Sequence, residues 1–430
     1  MRILKHDEPN FEEKAAKFFN RRAIPSEVLR VSVERIISMV RSDGDKALSA
    51  LTQKYDGAFI SAKDLLIKGK DLSKAKNAVS NKVKKAIDIS QANVKTFALR
   101  GLRKDWAMKN TQGATIGEVF QPFSRVGVYV PGGSAPLVST SLMTVAIAEA
   151  AGVEEIVVCT PPNKEGEINS ELLYALDHSG ATEIYKVGGA QAIAALSVGT
   201  KRIAQVEKIF GPGNSFVVEA KRQLFGFVSV DLLPGPSEIF VLADSSARAD
   251  WIASDLLAQA EHGGDSQVAF ATTSVKLLER VRLELNSQAK RLKRRKQISE
   301  VIRNGAILVL LKSIKQGIEL ANAFAPEHLS LIVKNKEGVL PKLKTCGAIF
   351  VGSHSAVSVG DFLAGPSHTL PTGGAGKSFS GLTADMFQRR TSVIELNEKS
   401  LKKSIPIVET FAEIEGLDAH GNSVKIRGSE

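Results

Sequence analysis

Cysteine is nearly missing from this 430-residue chain, which has only Cys159 and Cys346. Both stand at the ends of apolar, strand-like runs, so a disulfide framework and a cysteine-built structural zinc site are excluded, and a reducing cytoplasm is the expected compartment. Long apolar runs are also missing. The least polar stretch, Leu142 to Val153, is interrupted by Glu149 and falls short of the roughly 20 residues that cross a bilayer. The first twenty residues carry Lys5, Asp7, Glu8, Glu12 and Glu13, unlike a secretory leader. A soluble protein with no membrane partner is expected.

Aromatic residues make up only 6% of the chain, against a formal charge of +11. The densest basic run, Lys290 to Lys296 (KRLKRRK), has no stacking aromatics. It follows the apolar Leu277, Leu278, Val281 and Leu285 and reads as one solvated face of a helix. Charge alone supplies only non-specific attraction to phosphate, so no nucleic-acid partner is expected.

What the chain does have is 43% apolar residues, enough for two or more cores of ordinary domain size. Residues 1 to about 120 are lysine-rich and helical in pattern, with Val28, Val31, Ile36, Ile37 and Val40 at helix-compatible spacing. From Arg125 the character changes. Strand-like runs at Val126–Val130, Ile156–Cys159, Ile184–Val187 and Lys208–Phe210 each precede a helical or glycine-rich stretch, the mark of βα units and a parallel sheet. A second series follows at Ile239–Leu242, Val268–Ala271, Ile307–Leu311, Leu329–Val333 and Ile349–Val351. The fold class is therefore α/β with two sheet domains, joined by Leu233-Pro234-Gly235-Pro236-Ser237. After Phe387 a short polar extension remains, too small to fold alone.

Three glycine loops follow predicted strands: Tyr129-Val130-Pro131-Gly132-Gly133-Ser134, Val187-Gly188-Gly189-Ala190-Gln191 and Phe210-Gly211-Pro212-Gly213-Asn214. None completes G-x-G-x-x-G, because Phe216 stands where the third loop needs its last glycine. Each alone is as well explained by the steric needs of a strand-to-helix turn. Together, at the carboxyl ends of strands in one sheet, they would line a nucleotide crevice of non-standard form. A fourth loop, Gly373 to Ser378, imitates the end of a phosphate-binding loop. Pro371 takes the place of its first glycine and no strand precedes it, so it reads as a mobile or packing turn.

Seven histidines occur. Gln259 and His262 stand three apart at the end of a helical pattern and share a face; they suit metal ligation, or His262 serves the helix dipole. Asp361 is a possible ligand or a helix cap, and His420 has no evident structural duty. These four would make a mixed nitrogen and oxygen site suited to zinc, although spacing alone does not group them. Glu327 and His328 stand just before a strand, where a histidine could act as general base and the carboxylate could activate water.

The blocks PGGSAP (131–136), GGAQAIAAL (188–196), FGPGN (210–214), PGPSE (234–238), AQAEH (258–262), APEHL (325–329), GD (360–361) and EGLDAH (415–420) are collinear with the motif series of histidinol dehydrogenase. The chain resembles that family over nearly its whole length. The resemblance implies two incomplete Rossmann-like domains. A helical arm would span residues 1–24, a first discontinuous domain 25–128 and 238–385, an NAD-binding second domain 129–237, and a dimerisation tail 386–430. It also implies zinc- and NAD-dependent four-electron oxidation of L-histidinol to L-histidine through L-histidinal, the last steps of histidine biosynthesis.

By the same resemblance one zinc per subunit would be held by Gln259, His262, Asp361 and His420. Those four, with Ser237, His328 and Glu415, would bind substrate. Tyr129, Gln191 and Asn214 would bind NAD, and Glu327 and His328 would be catalytic. The tail would cross to the other subunit of a homodimer, so that the two subunits share each active site. Ala356-Val357 replaces the family's usual Pro-Glu, and Ser367 replaces the Asn before its loop histidine; these departures bear on substrate preference. The alternative within the family is a related alcohol dehydrogenase such as sulfopropanediol dehydrogenase, and outside it a non-catalytic basic binding protein.

Overall fold

A computed structural model describes residues 1–19, 25–132 and 136–428. Gly133, Ser134 and Ala135 of the first glycine loop lie outside the described residues. Fourteen strands occur among those described: β1 (Arg2–Lys5), β2 (Trp106–Lys109), β3 (Thr115–Pro122), β4 (Arg125–Tyr129), β5 (Glu155–Thr160), β6 (Glu183–Lys186), β7 (Lys208–Phe210), β8 (Ser229–Val230), β9 (Glu238–Ala243), β10 (Gln267–Thr272), β11 (Ala306–Leu310), β12 (His328–Ile332), β13 (Ala348–Val351) and β14 (Gln388–Glu395).

They form two parallel sheets and one small antiparallel sheet. The six-stranded sheet has the order β1-β11-β10-β9-β12-β13 and the five-stranded sheet β6-β5-β4-β7-β8. In the six-stranded sheet β9 (EIFVLA) and β12 (HLSLI) are buried along their full length, and in the five-stranded sheet β4 and β5 are buried beyond their first residue, as continuous apolar strands must be when helices cover both faces. All nine strand-like runs read from the sequence are strands. The third sheet, β14-β3-β2, is antiparallel.

The N-terminal segment packs differently from the expected grouping. Ser26 caps the helix Glu27–Asp43 by accepting from the Leu29 N–H at 3.2 Å, and the stripe Val33, Ile36, Ile37, Val40 is buried. It packs in one core with Tyr129, Val157 and Ile193 of the five-stranded sheet and its helices. Val94 and Ala98 of the helix Asn81–Gly101 join the other face of that sheet. The stretch from 25 to about 101 therefore clothes the second sheet, because its apolar stripes meet that sheet's open faces. Residues 1–19 are only partly helical: β1 pairs in parallel with β11, and Phe11, Phe18 and Phe19 bury against Phe240 and Phe324.

The tail is more structured than a polar extension. β14 pairs along its length with β3, and two helices follow, Glu398–Glu415 and Asp418–Arg427. The basic run also departs from a single helix face. Its first residues close the turn between helices Val275–Ala289 and Arg295–Asn304, where Arg294 donates to the Glu261 carbonyl at 3.2 Å. Among the described residues no helix is long and apolar enough to cross a membrane.

Candidate active site

Adjacent parallel strands bring residues far apart in sequence side by side, and the first group of candidate residues gathers at the amino ends of two of them. Glu238 opens β9 and His328 opens β12; the strands are neighbours, with His328 in register with Ile239. The Glu238 N–H donates to Oε2 of Glu327 at 3.0 Å, and Nδ1 of His328 lies 3.2 Å from the Glu238 carbonyl. One peptide segment thus holds both candidate catalytic side chains, which are 8% and 3% exposed. With Nδ1–H given to that carbonyl, the neutral ring of His328 keeps its lone pair on Nε2. That atom is buried without a hydrogen-bond partner and sits 3.4 Å from Oδ1 of Asp361.

The electrostatics of this corner follow from burial. Desolvation raises Glu238 to about 8 and Glu327 to about 7, the proximity of the two carboxylates adding to the shift of Glu238. Burial opposes protonation of His328, but the Glu327 and Asp361 carboxylates outweigh it and lift its pKa to about 9. Asp361 shows the converse balance: desolvation disfavours its charge, yet His328 and neighbouring histidines hold it below the usual carboxylate value.

Asp361 comes from the short helix Val357–Phe362. His328, Asp361, His354, Ala356, Ser367 and His368 are among the residues lining a cavity of about 370 Å³. Gln259 is buried in the last turn of helix Ala249–Ala260, which packs against the helix carrying Asp361, and His262 stands just beyond that turn. His262 keeps an exposed edge, while the protein around the rest of its ring holds its pKa below the ordinary imidazole value, with Asp361, His328 and Arg294 near enough to act on it. Ser237 is half-buried immediately before Glu238, and its carbonyl accepts from the Gln267 N–H at 3.0 Å.

His420 and Glu415 are not brought to this place. Both are exposed on the tail helices, which pack on each other. Among the described residues no three His, Cys, Asp or Glu side chains gather to hold a metal ion. The expected four-ligand set is therefore incomplete in one chain. What the chain supplies still fits zinc chemically: Gln259 and His262 are neutral donors and Asp361 a single anionic oxygen, next to a buried imidazole nitrogen that has no partner.

The three residues expected at NAD share a different cavity, of about 610 Å³. Tyr129 ends β4, Gln191 lies in the first turn beyond β6, and Asn214 caps the helix after β7 by accepting from the Phe216 and Val217 N–H groups at 3.0 and 3.2 Å. The Tyr129 hydroxyl accepts from the Gly189 N–H at 3.1 Å, leaving its own proton free to be donated. Burial raises this phenol to about 12, so it stays neutral. The sheet order reverses between β4 and β7, and such reversals are where crevices open in parallel sheets. The Pro161-Pro162 turn after β5 fills the space between the glycine loops.

The sequence reasoning missed three groups. Glu238 was passed over because a carboxylate in an apolar strand reads as a strand end. His368, whose Nδ1 is 3.1 Å from the Asp361 carbonyl and whose Nε2 is 3.4 Å from Thr140, stands in a loop with no periodicity. Asp56 lines the larger cavity with a buried, unpartnered Oδ2, and burial raises it to about 6; it closes a helix that carries no motif. The departures Val357 and Ser367 are explained by packing: Val357 is buried in the core under the six-stranded sheet, and Ser367 donates to the Met143 carbonyl at 2.9 Å. Ala356 leaves the helix after it without a side-chain cap. The loop 373–378 is a packing turn, since a Cβ on Gly376 would lie 2.1 Å from the Thr345 carbonyl.

Comparison with known proteins gives one consistent result. The histidinol dehydrogenase family model matches residues 19–428. A histidinol dehydrogenase of Geobacillus kaustophilus is 40% identical over 95% of this chain and 96% of its own, and one of Bacteroides thetaiotaomicron is 39% identical over 99% of both. The crystal structure of histidinol dehydrogenase from Elizabethkingia anophelis superposes with a TM-score of 0.94 at 34% identity, covering 99% of this chain and 98% of that one.

Proposed function

The chain belongs to the histidinol dehydrogenase family of oxidoreductases, and on that premise we propose that it oxidises L-histidinol to L-histidine through L-histidinal, with zinc and two molecules of NAD. The observation that carries the reading is the buried corner where Glu238 aligns Glu327 and His328 beside Asp361. Gln259, His262 and Asp361 of one subunit would hold zinc together with His420 of the other. Tyr129, Gln191 and Asn214 would hold NAD. Zinc held there would supply a positive centre that positions the imidazole and amine of the amino alcohol, and NAD would supply the hydride acceptor for its carbinol carbon.

The residues of the chain do the proton work. Nε2 of His328 takes the hydroxyl proton as hydride leaves once the ring is neutral, a form favoured as pH rises towards 9; the Glu238 carbonyl fixes the neutral ring in the tautomer that leaves Nε2 free. For the second oxidation Glu327, buried beside His328, removes a proton from water as it adds to the aldehyde, while protonated His328 returns its proton to the aldehyde oxygen; the neutral His328 then accepts a hydroxyl proton of the hydrate as the second hydride departs. Neither cysteine serves. Cys159 is buried within β5 and Cys346 lies before β13, and burial pushes the Cys346 thiol up to about 12.

A homodimer completes the site. Ile394, Phe411, Ile414 and Ile426 of the tail are 59–74% exposed, an apolar surface larger than a free tail keeps in water. A second copy covering it would bring Glu415 and His420 to the Asp361 cavity. Cytoplasmic placement follows from the biosynthetic role. The test is turnover of L-histidinol with NAD in competition with sulfopropanediol: preference for histidinol supports the assignment, and turnover of the sulfonate alone overturns it.

A further inference from the structure

We propose that the buried ion pair Lys221–Asp231 is the positioning device of the dinucleotide cavity, clamping the peptide of Gly211 so that Asn214 and the end of β4 meet the cofactor. The inference rests on the reading of that cavity as the NAD site.

Both side chains are 0% exposed, with Nζ of Lys221 2.6 Å from Oδ1 of Asp231. Each has a second contact, and both fall on the same residue. Lys221 Nζ donates to the Gly211 carbonyl at 2.5 Å, and the Gly211 N–H donates to Oδ2 of Asp231 at 2.7 Å. The pair comes from different elements, Lys221 from the helix Ser215–Leu224 and Asp231 from just beyond β8. It closes a ring around one glycine.

Gly211 is the first residue past β7, where the sheet order reverses against β4. Its φ is +107°, and an added Cβ would lie 2.1 Å from the Tyr129 carbonyl. A residue laid this closely on the end of β4 cannot carry a side chain to anchor itself. The ion pair is the anchor it has. Three residues on, Oδ1 of Asn214 is spent on capping the helix, which leaves its amide N–H groups for the cavity. The segment 211–214 is thus fixed at both ends.

Stability alone does not account for the pair. Bringing two charges wholly out of water costs about as much as their attraction returns, and apolar residues of similar volume commonly serve as well or better. Apolar residues could not hold both the N–H and the carbonyl of Gly211.

The experiment replaces both partners, Lys221→Met with Asp231→Leu, in the full-length zinc-loaded enzyme, and measures thermal melting, kcat and KM for NAD and for L-histidinol. The expected result is a cooperative melt, KM for NAD raised about tenfold or more, KM for L-histidinol changed less than about twofold, and a smaller change in kcat than in KM for NAD. A KM for NAD equal to that of the unaltered enzyme would overturn the proposal. If the double variant fails to fold, Asp231→Glu keeps the charge and moves the carboxylate by one methylene. It should raise KM for NAD by about threefold or more, and an unchanged value again overturns the proposal. Failure of the cavity reading itself shows separately, as Asn214→Ala and Gln191→Ala enzymes that turn over L-histidinol with an unaltered KM for NAD.

Discussion

The N–H of Glu238 donates to the carboxylate of Glu327 at 3.0 Å, and the carbonyl of the same residue faces Nδ1 of His328 at 3.2 Å. One residue of β9 therefore sets the orientation of two consecutive side chains at the start of its neighbour β12, Glu327 just before the strand and His328 its first residue. The roles assigned to those side chains follow from this geometry, and they separate experimentally.

His328→Asn should lower both oxidations by about 100- to 10,000-fold, the range for losing a positioned general base, with L-histidinol still binding. Glu327→Gln should impair the second oxidation more than the first. Single-turnover measurement with L-histidinol would then show NADH formed in the first step and an aldehyde that accumulates and can be trapped. Equal slowing of both steps would remove the distinct role of Glu327.

Glu238 makes stability depend on pH. Its carboxyl is raised from 4.5 to about 8 in the folded protein, so the contribution is full below the unfolded value and is lost as pH rises through the folded one. Glu238→Gln keeps an acceptor for the Gly373 N–H, which now binds Oε1 at 3.1 Å, and removes the charge. The variant should match the parent near pH 4.5 and be the more stable by on the order of 3 kcal/mol near pH 9. Urea melts at the two pH values check this; a difference that does not change with pH contradicts it.

Much of this architecture was legible in the sequence because the central strands are buried on both faces and read as continuous Val, Ile and Leu runs. Strands that lack this environment escaped. β1 (RILK) lies at an edge and alternates with charge, β8 has two residues, and β2, β3 and β14 form an exposed sheet with mixed polarity. The site divides the same way. The glycine loops that carry Tyr129, Gln191 and Asn214 could be found because each stands at the carboxyl end of a strand of one parallel sheet, while the three residues themselves came from the family resemblance. Gln259 and Asp361 sit in separate elements, His420 sits in a tail, and no local spacing connects them. The contact of Glu238 with Glu327 spans 89 positions and depends on strand order, which periodicity does not specify.

Gly211→Ala tests the tight approach of β7 to β4. A side chain at φ +107° with its Cβ 2.1 Å from the Tyr129 carbonyl should cost about 1–3 kcal/mol in backbone strain alone, with a further loss as the loop moves away. A lower melting temperature and a weaker hold on NAD are expected together. Wild-type values of both would contradict the geometry.

Sharing of each site between subunits predicts complementation. His328→Asn and His420→Ala homodimers should each be inactive. A heterodimer has one site with both histidines intact, so random reassociation of equal amounts should restore about a quarter of full activity. Recovery near zero would place His420 in the site of its own chain, or outside any site.

The central claim is a zinc-dependent, two-step oxidation of L-histidinol, and it is tested most directly by counting NADH formed per L-histidinol consumed, before and after treatment with a chelator. The account predicts two NADH per substrate, loss of turnover on chelation and its return with zinc. One NADH per substrate, or turnover that survives complete removal of metal, would contradict it.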